Sequence, residues 1–100
     1  MTEQRKHRRF ELRLPFQIVN SAANVRTMGE TRNVSSSGVL FTCTNPVPVG
    51  DPIEYVITFP KNPTSRSEVR LRCVGKVLRQ EPESAFAATL ERYEFVRQPA

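Results

Sequence analysis

The sequence is poor in the residues that build metal, redox and hydrolytic centres. Its 100 residues contain no tryptophan, one histidine and two cysteines, Cys43 and Cys73. Two cysteines are too few for a disulfide scaffold or a four-ligand zinc site, and both lie among alternating apolar residues, where we expect them to be buried. The single histidine, His7, has no evident carboxylate partner, and no glycine-rich phosphate loop occurs. We therefore expect a binding protein without a metal or cofactor, and not an enzyme.

Long apolar runs are also missing. No stretch of about 18 apolar residues could cross a membrane, and no apolar segment follows the charged residues 1–9, as a secretory signal would require. A cytoplasmic location is therefore expected. Hydrophobic residues make up 38% of the chain and charged residues 25%, which is typical of a folded protein, and the length suits one domain.

The positive charge of the chain is concentrated near its start. The net charge is +5, and nine positions contain five basic residues: Arg5, Lys6, Arg8, Arg9 and Arg13. Such a segment favours an anionic partner, for example a nucleotide, a nucleic acid or acidic lipid headgroups. Because residues 1–9 show no apolar periodicity, we predict a flexible basic arm there and a folded domain over residues 10–97.

Apolar and polar residues alternate along most of the remaining chain. This period of two predicts strands over residues 14–19, 25–34, 38–43, 53–59, 69–79 and 86–90. The composition of residues 83–96 would also allow a helix, but Phe86, Ala88 and Leu90 fit a strand better. Strands at this spacing, separated by turn signals, predict an all-β barrel or sandwich.

Two local clusters have side chains suited to an anionic ligand. Arg9 and Arg13 each present a planar fork of donors, which matches phosphate oxygens and the Hoogsteen edge of guanine. Nineteen residues separate Arg13 from Asn33, where a polar turn begins. This turn contains Ser35 and ends at Gly38, where glycine permits positive φ and close approach of a ligand. Taken alone, a basic run near a terminus is more often a solvated tail, and an Asn/Ser/Gly stretch is more often an ordinary turn.

The two clusters together form a pattern of known type. Arg9-Phe-Glu-Leu-Arg13, followed by Asn33-Val-Ser35-Ser-Ser-Gly38, resembles the R-x-x-x-R and [DN]-x-S-x-x-G motifs of the PilZ domain, the bacterial cyclic di-GMP receptor module. Leu-Pro-Phe directly after Arg13, Val-Leu-Phe after Gly38 and a later Gly-Lys-Val are also similar to that family. Arg5 and Arg9 form a second R-x-x-x-R, but Leu-Pro-Phe then lies too far downstream.

The resemblance extends over roughly residues 5–96 and implies both a fold and a site. The implied fold is a six-stranded antiparallel β-barrel, here with little or no C-terminal helix. Arg9 and Arg13 would contact the phosphates and guanine edges of cyclic di-GMP, Asn33 and Ser35 would hydrogen-bond a guanine or phosphate, and Gly38 would shape the loop. Arg8 implies that two intercalated ligand molecules bind.

A seventh candidate residue lies further along the chain. The resemblance implies that Arg79 stacks on an exposed guanine. Ordering of the N-terminal arm by the ligand would present a new surface to a downstream partner protein, which the sequence does not identify.

Two alternatives compete with this prediction. A small basic barrel could bind single-stranded nucleic acid, but most of the six phenylalanines fall on the predicted core face and tryptophan stacking platforms are missing. A PilZ-like adaptor that binds no nucleotide is the second alternative, and the intact arginine and Asn/Ser/Gly motifs disfavour it.

Overall fold

The computed structural model describes residues 11–24, 26–59 and 68–98, and within these ranges it contains strands and turns but no helix. The seven strands are β1 (Pro15–Ser21), β2 (Thr27–Val34), β3 (Gly38–Cys43), β4 (Pro52–Phe59), β5 (Glu68–Glu81), β6 (Ala85–Thr89) and β7 (Arg92–Gln98). Among the described residues, no helix has the length and apolar character needed to span a membrane.

The first six strands close into an antiparallel barrel. Each strand pairs with its neighbours in the order β1, β2, β3, β6, β5 and β4, and β4 pairs back with β1. Closure satisfies the edge groups of the barrel strands, which would otherwise invite association with other chains. The predicted six-stranded antiparallel barrel is therefore confirmed.

The long strand β5 changes its partner halfway along. Its segment from Glu68 to Val74 pairs with β7, and its segment from Val77 to Glu81 pairs with β6. Gly75 lies at the changeover, where a Cβ atom would come within 1.8 Å of the carbonyl oxygen of Thr89. A glycine is needed here because the end of β6 crosses directly against the β5 backbone.

Strand β7 was not predicted from the sequence. Tyr93 and Phe95 alternate with Arg92 and Glu94, and this pattern could have indicated a strand. Both aromatic side chains are mostly exposed, at 61% and 65%. The strand lies outside the barrel, and among the described strands it pairs only with β5. The described chain after β6 therefore continues as a strand.

The barrel interior is filled by stacked aromatic rings. Phe41 lies between Phe16, at a centroid distance of 4.1 Å, and Phe86, at 6.0 Å. The fully buried Tyr55 packs on Phe16, and its hydroxyl donates a 2.9 Å hydrogen bond to the carbonyl of Thr89. These rings bury large apolar areas and give the small barrel a rigid core.

The two cysteines differ in their surroundings. Cys73 is fully buried in the core, as expected, whereas Cys43 is only half-buried. Burial raises the pKa of the Cys73 thiol to about 12 and also raises the pKa of Cys43. Both thiols are therefore protonated at neutral pH and are poor nucleophiles.

Candidate ligand-binding site

Four side chains form a continuous row across the outer face of the barrel. Asn33 on β2 pairs with Leu40 on β3, Leu40 pairs with Ala87 on β6, and Ala87 pairs with Arg79 on β5. Directly paired residues point to the same side of a sheet. Two polar residues, Asn33 and Arg79, thus stand at the ends of the row, roughly 14 Å apart at normal strand spacing.

A cavity of about 210 Å³ lies over this row. Leu40 and Ala87 line it between the two ends of the row, and the small side chain of Ala87 leaves space above the middle of the row. The cavity is also lined by Asn33, Ser35, Gly38 and Arg79, four of the seven residues that the sequence predicts as ligand contacts. Residues 46 positions apart in the chain therefore meet at one surface.

Bulges in two strands border the cavity. The register of β2 shifts between Thr31 and Asn33, and the register of β5 shifts between Val77 and Arg79. A bulge adds one residue, bends the strand and re-aims the side chains beside it. Here the shifts place Thr31 and Val77 in the core while Asn33 and Arg79 face outward.

The turn between β2 and β3 is tightly hydrogen-bonded. The Ser35 amide donates to the Gly38 carbonyl at 2.9 Å, and the Ser37 amide donates to the Ser35 hydroxyl at 3.3 Å. The Leu90 amide donates to the Ser37 carbonyl at 2.9 Å, which ties the turn to the end of β6. The turn is therefore preorganised, and Ser35 is one of the residues that line the cavity.

The positive φ suggested for Gly38 from the sequence is wrong. Its φ is not positive, and only Gly50, among the four glycines, has a positive φ, at 95°. A Cβ atom on Gly38 would lie 2.8 Å from the carbonyl oxygen of Ala88. Glycine is needed at this position because β3 and β6 approach closely, and the cavity depends on that packing.

Thr31 fixes the segment that carries Arg13. This threonine is fully buried, and its hydroxyl donates a short hydrogen bond to the Leu12 carbonyl and accepts one from the Leu14 amide at 2.9 Å. The Thr31 amide donates to the Leu14 carbonyl, also at 2.9 Å. Three hydrogen bonds thus hold the residues on either side of Arg13 against β2.

Arg13 itself is exposed beside β2. Its Nη1 atom lies 3.4 Å from Oε1 of Glu30, and both side chains are more than half exposed. Arg13 does not line the cavity, but it lies next to the strand that carries Asn33. Arg8 and Arg9, the other two predicted arginines, lie outside the described residues.

The arginines around the cavity are paired with glutamates. Nε of Arg79 makes a short ion pair with Oε2 of Glu81, and Arg32 lies 3.7 Å from Glu83. Ion pairs this exposed contribute little to the stability of the fold. Sequence reasoning missed Glu81, although its spacing of two from Arg79 on a strand places both on one face.

A second concavity, of about 330 Å³, lies on the β4–β5–β7 side and is lined by Glu54, Arg72 and Arg92 among others. None of the motif residues that the structure describes lines it. Within residues 11–24, 26–59 and 68–98, no group of three potential metal ligands occurs. The 210 Å³ cavity is therefore the candidate site.

The buried threonine gives a first testable expectation. Thr31→Val keeps the side-chain shape but removes the hydroxyl bonded to Leu12 and Leu14, so the free energy of unfolding should fall by about 1–2 kcal/mol in urea titrations. Thr42→Val is the matched control, because its hydroxyl makes only a 3.4 Å bond at an exposed position. Equal losses in the two variants would contradict the anchoring role of Thr31.

Comparison with known proteins agrees with this architecture. The family model described as PilZ domain matches residues 3–99. The solved structure of the Bacillus subtilis inhibitor of motility, MotI/DgrA, is similar with a TM-score of 0.65 at 18% sequence identity, a likeness that concerns the fold. The match covers 93% of this chain and 44% of that protein, so the chain spans less than half of its length. No curated protein matches the sequence.

Proposed function

Because the chain belongs to the PilZ domain family, whose members are cyclic di-GMP receptor modules, we propose that it binds cyclic di-GMP on the outer face of β2, β3, β6 and β5. The observation that carries the proposal is one cavity lined by Asn33, Ser35, Gly38 and Arg79. The protein then acts by binding and release of the nucleotide, and not as an enzyme.

Each polar group of the site has a chemical counterpart in the ligand. Arg9 and Arg13 contact the phosphates and guanine edges, because guanidinium donors match both. Asn33 and Ser35 hydrogen-bond a guanine or a phosphate, and the planar group of Arg79 stacks on a guanine face. Three or four charge-assisted hydrogen bonds of about 1.5–3 kcal/mol each, less the cost of ordering the arm, correspond to about micromolar affinity.

Binding would also change the N-terminal arm. In this proposal residues 1–9 take up one position over the barrel when the ligand is bound, and Arg8 favours an intercalated pair of ligand molecules. The fixed arm and ligand then form a surface that a downstream protein recognises. The anchoring of Leu12 and Leu14 by Thr31 supports this, because it sets a fixed point from which the arm begins.

One observation favours binding of single-stranded nucleic acid as a second function. Tyr93 and Phe95 are exposed on β7 with ring centroids 6.2 Å apart, and such rings can stack on bases. Strand β7 pairs with the opposite half of β5 from Arg79, and the cavity has no aromatic residue among those that line it. The motif residues are thus separate from the exposed rings.

Calorimetric titration separates the two functions. We expect cyclic di-GMP to bind with about micromolar affinity and a mixed-sequence single-stranded oligonucleotide to bind more weakly. Arg79→Ala should weaken cyclic di-GMP binding about fivefold, through loss of one stacking or hydrogen-bonding contact. Arg70→Ala is the matched control, since Arg70 is an exposed, ion-paired arginine on the same strand. Tighter oligonucleotide binding, or equal effects of the two variants, would contradict the proposal.

A further inference from the structure

A carboxylate lines the cavity that we assign to an anionic ligand. Glu81 follows Arg79 by two positions on β5, and both side chains contribute to the cavity wall. Oε2 of Glu81 contacts Nε of Arg79, and the glutamate side chain is 32% exposed. A negative charge at this place repels phosphate, so its presence requires a reason.

Pairing with Arg79 alone does not supply that reason. An ion pair with an arginine that is 55% exposed contributes little to the stability of the fold. An ionised carboxylate has about four acceptor positions on two oxygens, and the contact with Arg79 uses only Oε2. Glu81 lines the cavity, and among the described residues its contact with Arg79 leaves Oε1 as an acceptor for a ligand.

We propose that Glu81 is the residue that selects guanine, with Oε1 accepting hydrogen bonds from the N1–H and 2-amino groups of one base of the ligand. This inference rests on the proposed binding of a cyclic dinucleotide in the cavity. Arg79 holds the carboxylate through Nε, so the acceptor is in place before the ligand arrives. Glu81 is thus a specificity residue, and the phosphates are bound by other groups.

The polarity of the base edges explains the selection. Guanine offers two donors, at N1 and at the 2-amino group, to a group that can only accept. Adenine has an acceptor at N1 and lacks the 2-amino group, so its lone pair would face the carboxylate. Hypoxanthine keeps the N1 donor but lacks the 2-amino group, and it should fall between the two. A site built to accept from a donor rejects analogues without it, because the acceptor is then left unpaired.

The test measures the affinities of cyclic di-GMP, cyclic di-IMP and cyclic di-AMP for the full chain and for Glu81→Ala. Glu81→Ala should weaken cyclic di-GMP binding about tenfold, and the preference of the wild type for cyclic di-GMP over cyclic di-IMP, about fivefold, should shrink to less than twofold. Glu83→Ala is the matched control, because Glu83 carries the same charge on the same hairpin but pairs with Arg32 and does not line the cavity. Glu83→Ala should leave the affinities for all three dinucleotides within twofold of the wild type. The wild type, Glu81→Ala and Glu83→Ala should have similar thermal unfolding midpoints.

The outcomes distinguish this inference from the proposed function. Equal or tighter binding of cyclic di-GMP by Glu81→Ala would show that the carboxylate only neutralises Arg79, and the inference would be overturned. A loss of the same factor for cyclic di-GMP and cyclic di-IMP would overturn it too, since the 2-amino group would then not be read. If the wild type binds none of the three dinucleotides, the proposed function itself fails, and this inference with it.

Discussion

Arg13→Ala is expected to weaken cyclic di-GMP binding about 30-fold, which corresponds to ~2 kcal/mol, while the free energy of unfolding stays unchanged. The side chain is 67% exposed, and its contact with Glu30, at 3.4 Å, is an exposed ion pair that stabilises the fold little. In the complex, the same guanidinium would make charge-assisted hydrogen bonds to the ligand. Arg9→Ala, at a position outside the described residues, should have the same effect.

Two further variants show whether geometry or charge is responsible. Arg26→Ala removes the same charge at an exposed position that is not part of the cavity lining, and it should change the affinity less than twofold at physiological salt. Arg13→Lys keeps the charge but loses the planar fork, and most of the affinity should be lost with it. If calorimetry finds that Arg13→Ala and Arg26→Ala change the affinity for cyclic di-GMP by the same factor, Arg13 is not a ligand contact.

Gly75→Ala should be the most destabilising of the substitutions considered, with a loss of about 3 kcal/mol in the free energy of unfolding. The added Cβ would lie 1.8 Å from the Thr89 carbonyl oxygen and 2.7 Å from its carbon, and backbone atoms cannot rotate away. Thr89 also accepts hydrogen bonds from the Tyr55 hydroxyl and the Lys76 amide, both at 2.9 Å. A shift of Thr89 would therefore disturb both the core and the closure of the barrel.

Gly50→Ala is the control that separates the effect of backbone conformation from the steric effect expected at Gly75. Gly50 has a φ of 95°, and a Cβ there would meet nothing within 4 Å. Gly50→Ala should cost about 1–2 kcal/mol from the left-handed backbone alone. Denaturant titration compares the two variants directly. A loss at Gly75 no larger than the loss at Gly50 would show that β6 can move away from β5 at little cost.

The barrel strands were predictable because one face of each is buried. Phe16 and Ile18 on β1, and Ile53, Tyr55 and Ile57 on β4, alternate with polar residues and fill the core. The same rule does not find β7, because its aromatic residues gain little burial and its pairing depends on where β5 leaves the barrel. That point is set by Gly75 and Thr89, a contact between distant parts of the chain that local periodicity does not encode.

The site was predictable only in part. Asn33, Ser35 and Gly38 lie close in sequence, so their motif places them in one turn. That Arg79 shares their cavity follows from a register running through Leu40 and Ala87, which the sequence does not show. The positive φ suggested for Gly38 was wrong, and the approach of the Ala88 carbonyl oxygen could not be predicted because it is a tertiary contact.

A titration followed by amide NMR tests most directly whether cyclic di-GMP lies across the outer face of β2, β3, β6 and β5. The largest shift changes are expected at Asn33, Ser35, Gly38, Arg79 and Ala87, with small changes along β4 and β7. The account would be contradicted if the largest shift changes occurred on β7, around Tyr93 and Phe95. It would also be contradicted if no shift changes occurred at saturating ligand.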